Sequence, residues 1–493
     1  MAMIQRATLI GPALLVLSLV SVACEPRDAA ARRQARDAAD IREATAPPKS
    51  DSQLAAEGKL AAELERRATA AAALLKSLGR TPSEVAALPP LVMPAPRLLA
   101  PTSATEAAQR ALLLRSARTA WRYVARNTAQ TGFAGATEVY RFSTVWDLAS
   151  SLAALHSARE LGIVSAAEYR DRMDRALATL AELPMYDSTA FNKMYGVESG
   201  RMVDRQQQPS RVGYGWSAID HGRMLVWLRI IGTDTAYAAR TRSIVARLRL
   251  DRLIVDGYLR GQDIHPRYGQ PLIARNRVYG EGRIGYEQYA AEGFAQWGAR
   301  GPLALAFAAN ARAVNVQGST VLADVRGTDV LTSEPFIMMG LELGWTTPQW
   351  RTLSLAMLAA QEARSREVGH LVMVSEDAVN TPPWFFYYYL LYRDGQSFLV
   401  TSPLGHISPN FPRWVSTKAA FGYHALAPSD FTWRALTAVQ PSGARGGGWS
   451  AGVFEGRGTP TPAYNLNTAA VVLESAAFVM RGSCPLIQPT CGT

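Results

Sequence analysis

Residues Trp216–Gly232 read WSAIDHGRMLVWLRIIG, and a helix drawn through them is apolar on nearly every side. Such a helix has no face to offer water and must be surrounded by protein. A second kind of segment lies on either side of it. Tyr169, Met173, Ala176, Leu177 and Leu180 share one face while Arg170, Asp171, Arg172 and Asp174 fall elsewhere. Tyr237, Thr241, Ile244 and Leu248 repeat that spacing between arginines, which predicts half-buried outer helices.

Working outward, the nearly all-apolar type recurs. It begins again at Trp146 (WDLASSLAALHSARELG), Tyr286 (YEQYAAEGFAQWG), Glu334 (EPFIMMGLELGW), Trp384 (WFFYYYLLYRDG) and Asn465 (NLNTAAVVLESAAFVMRG). Several of these end in Gly, the residue that closes a helix most cheaply. About six alternations are best hidden by closing the apolar helices into an inner ring shielded by the amphipathic ones. The expectation is an all-α chain, an (α/α)6 toroid of six inner and six outer helices. A linear solenoid would show amphipathic helices throughout and a tighter repeat.

The bulk composition agrees with one large core. Of 493 residues, 48% are hydrophobic and 19% charged, which excludes a fibrous or largely disordered chain. The formal charge of +11 comes from scattered arginines. No dense basic block with interleaved aromatics is present, so nucleic acid is not an expected partner, and the charge reads as a general attraction to anionic surfaces.

The N-terminus predicts export. Arg6 gives a positive start, and Thr8 to Val20 form an apolar run too short to span a membrane comfortably. Ser21-Val22-Ala23-Cys24 then resembles the lipobox of bacterial lipoproteins, which implies a signal peptide over 1–23 and acylation of Cys24. An ordinary secretory signal is the alternative. The expected location is the bacterial cell envelope, periplasmic or surface-facing, with a lipid anchor in the membrane. Residues 24–103 read as a tether, a spacer helix over Leu54 to Leu78 and a proline-rich linker. The toroid is expected over 104–483 and a short tail over 484–493. An oxidising compartment would let Cys484 and Cys491 pair, a local staple of about 2.5 kcal/mol on the chain-entropy model. No cysteine is left for a thiolate nucleophile or a zinc cluster.

In such a ring the loops entering the inner helices converge on one mouth, where positive helix ends also gather. The entries are acidic and aromatic: Trp146 with Asp147, Trp216 with Asp220, Tyr286 with Glu287, Glu334, Trp384, and Trp449 with Glu455 before the last helix. Two carboxylates flanking a glycosidic bond supply acid and base or nucleophile, and aromatic faces stack on sugar rings. Asp147, Asp220, Glu287, Glu334 and Glu455 are therefore the candidate catalytic acids. Trp146, Trp216, Tyr286 and Trp384 are the candidate platforms for a polysaccharide or oligosaccharide.

Plainer roles compete with these. Thr144 with Asp147, and Ser217 with Asp220, have the spacing of helix capping boxes. Glu334 precedes Pro335, which suits a first helical residue and would leave a glutamate at the cap, where Ser, Thr, Asp or Asn is preferred. Glu287 could be a surface acid near a helix start. Glu376 and Asp377 fit a solvated turn before Pro382-Pro383, and the run Trp384 to Tyr389 fits core.

Three motif matches carry little. Gly280-Glu281-Gly282-Arg283-Ile284-Gly285 matches GxGxxG, but Glu281 would set a carboxylate beside a pyrophosphate and no βαβ alternation surrounds it. Gly448-Trp449-Ser450-Ala451-Gly452 matches GxSxG without the strand before or the helix after. His221 and His265 have no partner at metal-ligand spacing, so neither metal nor cofactor is expected.

At the entry segments the chain resembles the bacterial family known as domain of unknown function 3131, which looks like the glycoamylase-like (α/α)6 proteins. The resemblance rests on AWRYVARNTAQTGF (Ala120 to Phe133), STVWDLASSLAAL (Ser143 to Leu155), GYGWSAIDHGRMLVWLRIIG (Gly213 to Gly232), RIGYEQYAAEGFAQWG (Arg283 to Gly298) and PAYNLNTAAVVLE (Pro462 to Glu474). It implies a helical toroid over Trp121 to Arg481. By looser analogy it implies a carbohydrate-active enzyme, a glycoside hydrolase or transglycosylase, acting on an envelope or extracellular polysaccharide such as a glucan. A non-catalytic polysaccharide-binding or scaffold lipoprotein using the same mouth is the alternative.

Overall fold

The computed structural model describes residues 106–264, 276–326, 330–379, 384–403 and 405–489. The signal peptide, Cys24, the tether, the spacer helix and the proline-rich linker lie outside the described residues, as does Cys491. Cys484 is buried and disulfide-bonded.

The helices alternate as the hydrophobic patterns dictate. In chain order they are α1 (Glu106–Asn127), α2 (Val145–Glu160), α3 (Ala166–Glu182), α4 (Ala218–Ile231), α5 (Thr235–Ala246), α6 (Tyr286–Ala295), the single turns α7 (Pro302–Leu305) and α8 (Phe307–Asn310), α9 (Glu334–Met338), α10 (Pro348–Val368), α11 (Thr417–Leu426), α12 (Asp430–Ala438) and α13 (Leu466–Met480). A π-helical turn, Met339–Leu343, continues α9. In α4 every residue but Asp220 and Arg229 is buried. In α3 the buried residues are Tyr169, Met173, Ala176, Leu177 and Leu180, the face its periodicity marks.

The inner ring closes. Helix α2 packs on α4, α4 on α6, α6 on α9, α9 on α11, α11 on α13, and α13 back on α2. The outer positions are taken by α1, α3, α5, the α7 and α8 turns, α10 and α12. Two glycines let α4 and α6 touch backbone to backbone. A Cβ on Gly293 would lie 2.1 Å from the Gly222 carbonyl oxygen, and one on Gly222 would lie 2.4 Å from the Ala290 Cα.

Three inner helices are entered from a short strand whose last residue is the helix cap. The strands of three residues or more are β1 (Phe142–Thr144), β2 (Met194–Gly196), β3 (Gly215–Ser217), β4 (Tyr258–Ile264), β5 (Asn276–Gly280), β6 (Ala311–Val316), β7 (Ser319–Asp324), β8 (Phe385–Leu391), β9 (Ser397–Thr401), β10 (Trp414–Ser416) and β11 (Gly452–Phe454). β1 ends on Thr144 and pairs with β2, β3 ends on Ser217 and pairs with β4, and β10 ends on Ser416 and pairs with β11. Each of these hydroxyls accepts a hydrogen bond from the helix's first turn, and Asn465 caps α13 likewise. Antiparallel pairing thus fixes the angle at which three inner helices leave the mouth.

Two expectations are corrected. The fifth inner helix is α11, which starts at Thr417, and the stretch after Trp384 is the strand β8, paired with β9. A run apolar at every position reads equally as a buried helix or a buried strand, and six consecutive aromatics after a Pro-Pro pair favour the strand. The chain is therefore a helical toroid trimmed with small antiparallel sheets rather than purely helical. Ser333, not Glu334, holds the cap position of α9, and its side chain makes no capping bond.

Candidate functional site

The leading ends of the inner helices meet. Glu334, at the first turn of α9, accepts hydrogen bonds from Lys418 Nζ of α11 at 2.7 Å, Trp146 Nε1 of α2 at 3.3 Å and Tyr286 OH of α6 at 3.3 Å. Lys418 also lies 3.9 Å from Asp377, which takes the hydroxyl hydrogen of Thr468 from α13 at 2.7 Å. Burial works against the ammonium charge of Lys418, and Asp377, Glu334 and Glu376 outweigh it, so its pKa is raised. Five inner helices are tied together through these side chains, and Glu334 is only 4% exposed.

A second acidic group lies at the start of α2 and α4, and here two look-alike sequences part. Asp147 closes its capping box: Thr144 gives both its backbone N–H and its hydroxyl to Oδ2, each at 2.9 Å. Burial raises the Asp147 pKa, against the pull of those bonds and of Arg223. Ser217 instead gives its hydroxyl to Glu281 Oε2 at 3.1 Å, and the same oxygen accepts the Ile219 N–H at 3.0 Å. Glu281 arrives from the end of β5 and accepts the cap hydroxyl, as Asp147 does in α2.

Asp220 lies partly buried at the first turn of α4, and its carboxyl makes no hydrogen bond to a described residue. Burial of its surroundings, then the neighbouring charges of Glu281 and Asp147, push its pKa up to about 7 against the opposing pull of Lys193 and Arg283. An acid with that value carries its proton for a large part of the time near neutrality and can still give it away. Lys193 is held in turn by Asp263 at 2.5 Å and the Tyr279 hydroxyl at 2.7 Å.

The other predicted acids sit apart from this group. Glu287 points outward to Arg326 at 2.5 Å, in a buried cluster with Asp324. Glu455 sits behind β8. Alternate residues of a strand face opposite ways: Tyr387 lies near Arg283, while Tyr388 gives its hydroxyl to Glu455 at 2.7 Å. His370 stands 3.5 Å from Glu455, in a 50 Å³ cavity with Arg413 and Arg364.

Of the four predicted platforms, Trp216 is 2% exposed and belongs to the core. The Trp146 ring is covered by Arg223 at 4.7 Å and by the edges of Tyr286 and Tyr289. Tyr286 carries Arg283 over its ring at 4.9 Å. Trp384 is 47% exposed, at the foot of β8. Half-buried tyrosines around these acids, Tyr214 and Tyr279 by Asp220 and Tyr140 by Asp147, were not singled out by sequence.

The set-aside motifs have ordinary homes. His221 bridges the Ser217 carbonyl and the Phe191 N–H, and burial lowers its pKa to about 4. Ser450 is buried and donates to the Gly452 carbonyl. His265 lies outside the described residues. The Gly280–Gly285 segment is the turn between β5 and α6, and it delivers both Glu281 and Arg283 to the mouth. Sequence reasoning missed these two because they sat inside a motif weighed only as a dinucleotide fingerprint, where Glu281 counted against it. Lys418 was missed with its helix.

Six inner helices closed into a ring, with outer helices around them and acids at one end, define an (α/α)6 toroid with an acidic mouth. The chain belongs to the family described as "Protein of unknown function (DUF3131)", which matches residues 115–482. No curated protein matches it. Among solved structures, a "putative glucoamylase" from Bacteroides caccae superposes with a TM-score of 0.52 at 12% identity, over 77% of this chain and 97% of that one. A β-1,2-glucanase from Parabacteroides distasonis gives 0.52 at 12% identity, over 77% of this chain and 58% of its own. The endo-β-1,2-glucanase of Chitinophaga pinensis, solved with sophorotriose and glucose, gives 0.51 at 12% identity, over 77% and 96%. At such identities the likeness establishes the toroidal fold.

Proposed function

We propose that the chain is a glycoside hydrolase acting on a glucan or related polysaccharide at the mouth of the toroid. The observation that carries the reading is Asp220, a partly buried acid at a helix entry whose carboxyl bonds to no described residue and whose pKa is pushed up to about 7. A proton donor to a leaving glycosidic oxygen needs an unengaged carboxyl with a raised pKa. Glu281, whose oxygens accept from an amide, a hydroxyl and the phenol of Tyr279, is the partner carboxylate that activates water. Asp147 and Glu334 hold the entries of α2 and α9 in place as positioning residues. Trp384 offers an exposed face to a sugar ring, while Tyr214 and Tyr279 each carry the Lys193 ammonium over the ring.

The glucanase folds among its structural neighbours support the substrate class. An envelope setting, with a lipid anchor on Cys24 and access to periplasmic or extracellular polysaccharide, belongs to the same proposal and rests on the N-terminal sequence. Release of reducing ends from a panel of β- and α-glucans, β-1,2-glucan included, tests it. Asp220→Asn and Glu281→Gln are each expected to lose about 10²-fold or more in kcat. Full activity in Asp220→Asn would remove the assignment. Asp147, Glu287, Glu334 and Glu455 are all engaged within the protein, which is what a polysaccharide-binding protein without catalysis would show. Tight glucan binding by the wild type with no released ends would favour that reading.

A further inference from the structure

Beside the acidic mouth lies a separate cavity of 290 Å³ whose chemistry the hydrolytic reading does not use. Two guanidiniums line it, Arg283 and Arg393, together with the hydroxyl residues Thr401 and Ser402 and the rings of Tyr389 and Tyr392. Neither arginine forms an ion pair with a described carboxylate. Arg283 is half-buried. It donates to Tyr387 and lies over the rings of Tyr286 at 4.9 Å and Tyr387 at 6.0 Å. Glu281 and Glu376 feel its charge, yet neither is in contact with it. Arg393 lies 5.8 Å over Tyr392 at the outer end.

The tyrosines join the two cations. Tyr387 stacks on Tyr389 with centroids 5.4 Å apart and planes 3° from parallel, and Tyr389 stacks on Tyr392 at 5.4 Å and 29°. An aromatic wall thus runs from Arg283, which also faces Asp220, out to Arg393. Such a wall suits sugar rings, whereas two guanidiniums without carboxylates suit an anion, which they bind by paired, charge-assisted hydrogen bonds. A half-buried guanidinium with no carboxylate in contact has room for a bound anion, which would gain from pairing with it directly.

We propose that this cavity is a subsite for an anionic substituent on the polysaccharide, a phosphate ester or a carboxylate, and that the preferred substrate is a charged rather than a neutral glycan. This rests on the glycan reading of the mouth for its sugar part and on the two arginines for its charge. The test is calorimetric binding to the full chain, which needs no turnover. Three gluco-oligosaccharides of one length serve as probes: neutral, phosphorylated at one primary hydroxyl, and oxidised there to a uronate.

At least one charged probe is expected to bind about tenfold or more tighter than the neutral one, and the phosphate and uronate arms distinguish the substituent. That preference should shrink as salt is raised, vanish in Arg393→Ala and return in part in Arg393→Lys. Arg393 is exposed, so its replacement should leave the circular dichroism unchanged; if it does not, the salt dependence of the wild type decides. Equal affinity for all three probes, or no binding of either charged probe, overturns the subsite. In that event, continued cleavage of neutral glucan would leave the hydrolase reading standing. A charge preference without any cleavage would keep the subsite and sink the hydrolase.

Discussion

Ser217 gives its hydroxyl hydrogen to Glu281, while the carboxyl of Asp220, three residues on, bonds to no described residue. If Asp220 is the proton donor, kcat/KM falls as pH rises through about 7, because the protonated carboxyl is the working form. Glu281 raises that value and Lys193 lowers it. Lys193→Met should therefore move the alkaline limb to higher pH. A limb that stays in place in this variant would mean that another group titrates.

The same carboxyl has a cost in stability. Its folded pKa lies above the ordinary Asp value, so the folded state binds more protons and stability falls as pH rises from about 4 to about 7. Asp220→Asn should accordingly raise the melting temperature at pH 8 and change it little at pH 4. A uniform change across that range would indicate that Asp220 is not strained by its charge.

Lys418 is a buried cation shared by Glu334 and Asp377. Lys418→Met would strand two buried carboxylates, at a cost of about 3–5 kcal/mol in urea unfolding. Adding Glu334→Gln should recover part of that loss, since one stranded charge is removed. No recovery in the double variant would show that the two side chains are not energetically coupled.

Where α4 and α6 touch, the space is used up. Gly293→Ala would set a Cβ against the Gly222 carbonyl and should cost about 1–3 kcal/mol by overpacking. Gly298 has open space around its Cβ position. Any loss in Gly298→Ala would instead reflect its positive φ of 81°, which Gly293 does not share, whereas unchanged stability in Gly293→Ala would show that the two helices can move apart.

Much of the ring was legible because burial leaves a periodic trace. The face of α3 and the all-round apolarity of α4 could be read directly, and five of the six inner helices follow. The sixth escaped because α11 carries Lys418 and His424 among its ten residues, which look polar until the partners Glu334 and Thr432 are in view. Its cap, Ser416 after Trp414-Val415, has the same form as Phe142-Ser143-Thr144 and Gly215-Trp216-Ser217, a signal that was available. Of the site, Asp220 was legible as a helix-entry acid. The raised pKa of its carboxyl was not, because Glu281, whose charge contributes to it, lies 61 residues on in sequence. Glu287 and Glu455 share the composition of entry acids, and only the direction of a side chain and the face of a strand separate them from the mouth.

The strands that lead into α2, α4 and α11 are each clasped by a segment that returns much later in the chain. The helix mouths are thereby anchored independently of the loops that span them. Those loops can lengthen, shorten or change character without shifting the acids beneath, so the rim is free to vary while the acidic floor keeps its shape.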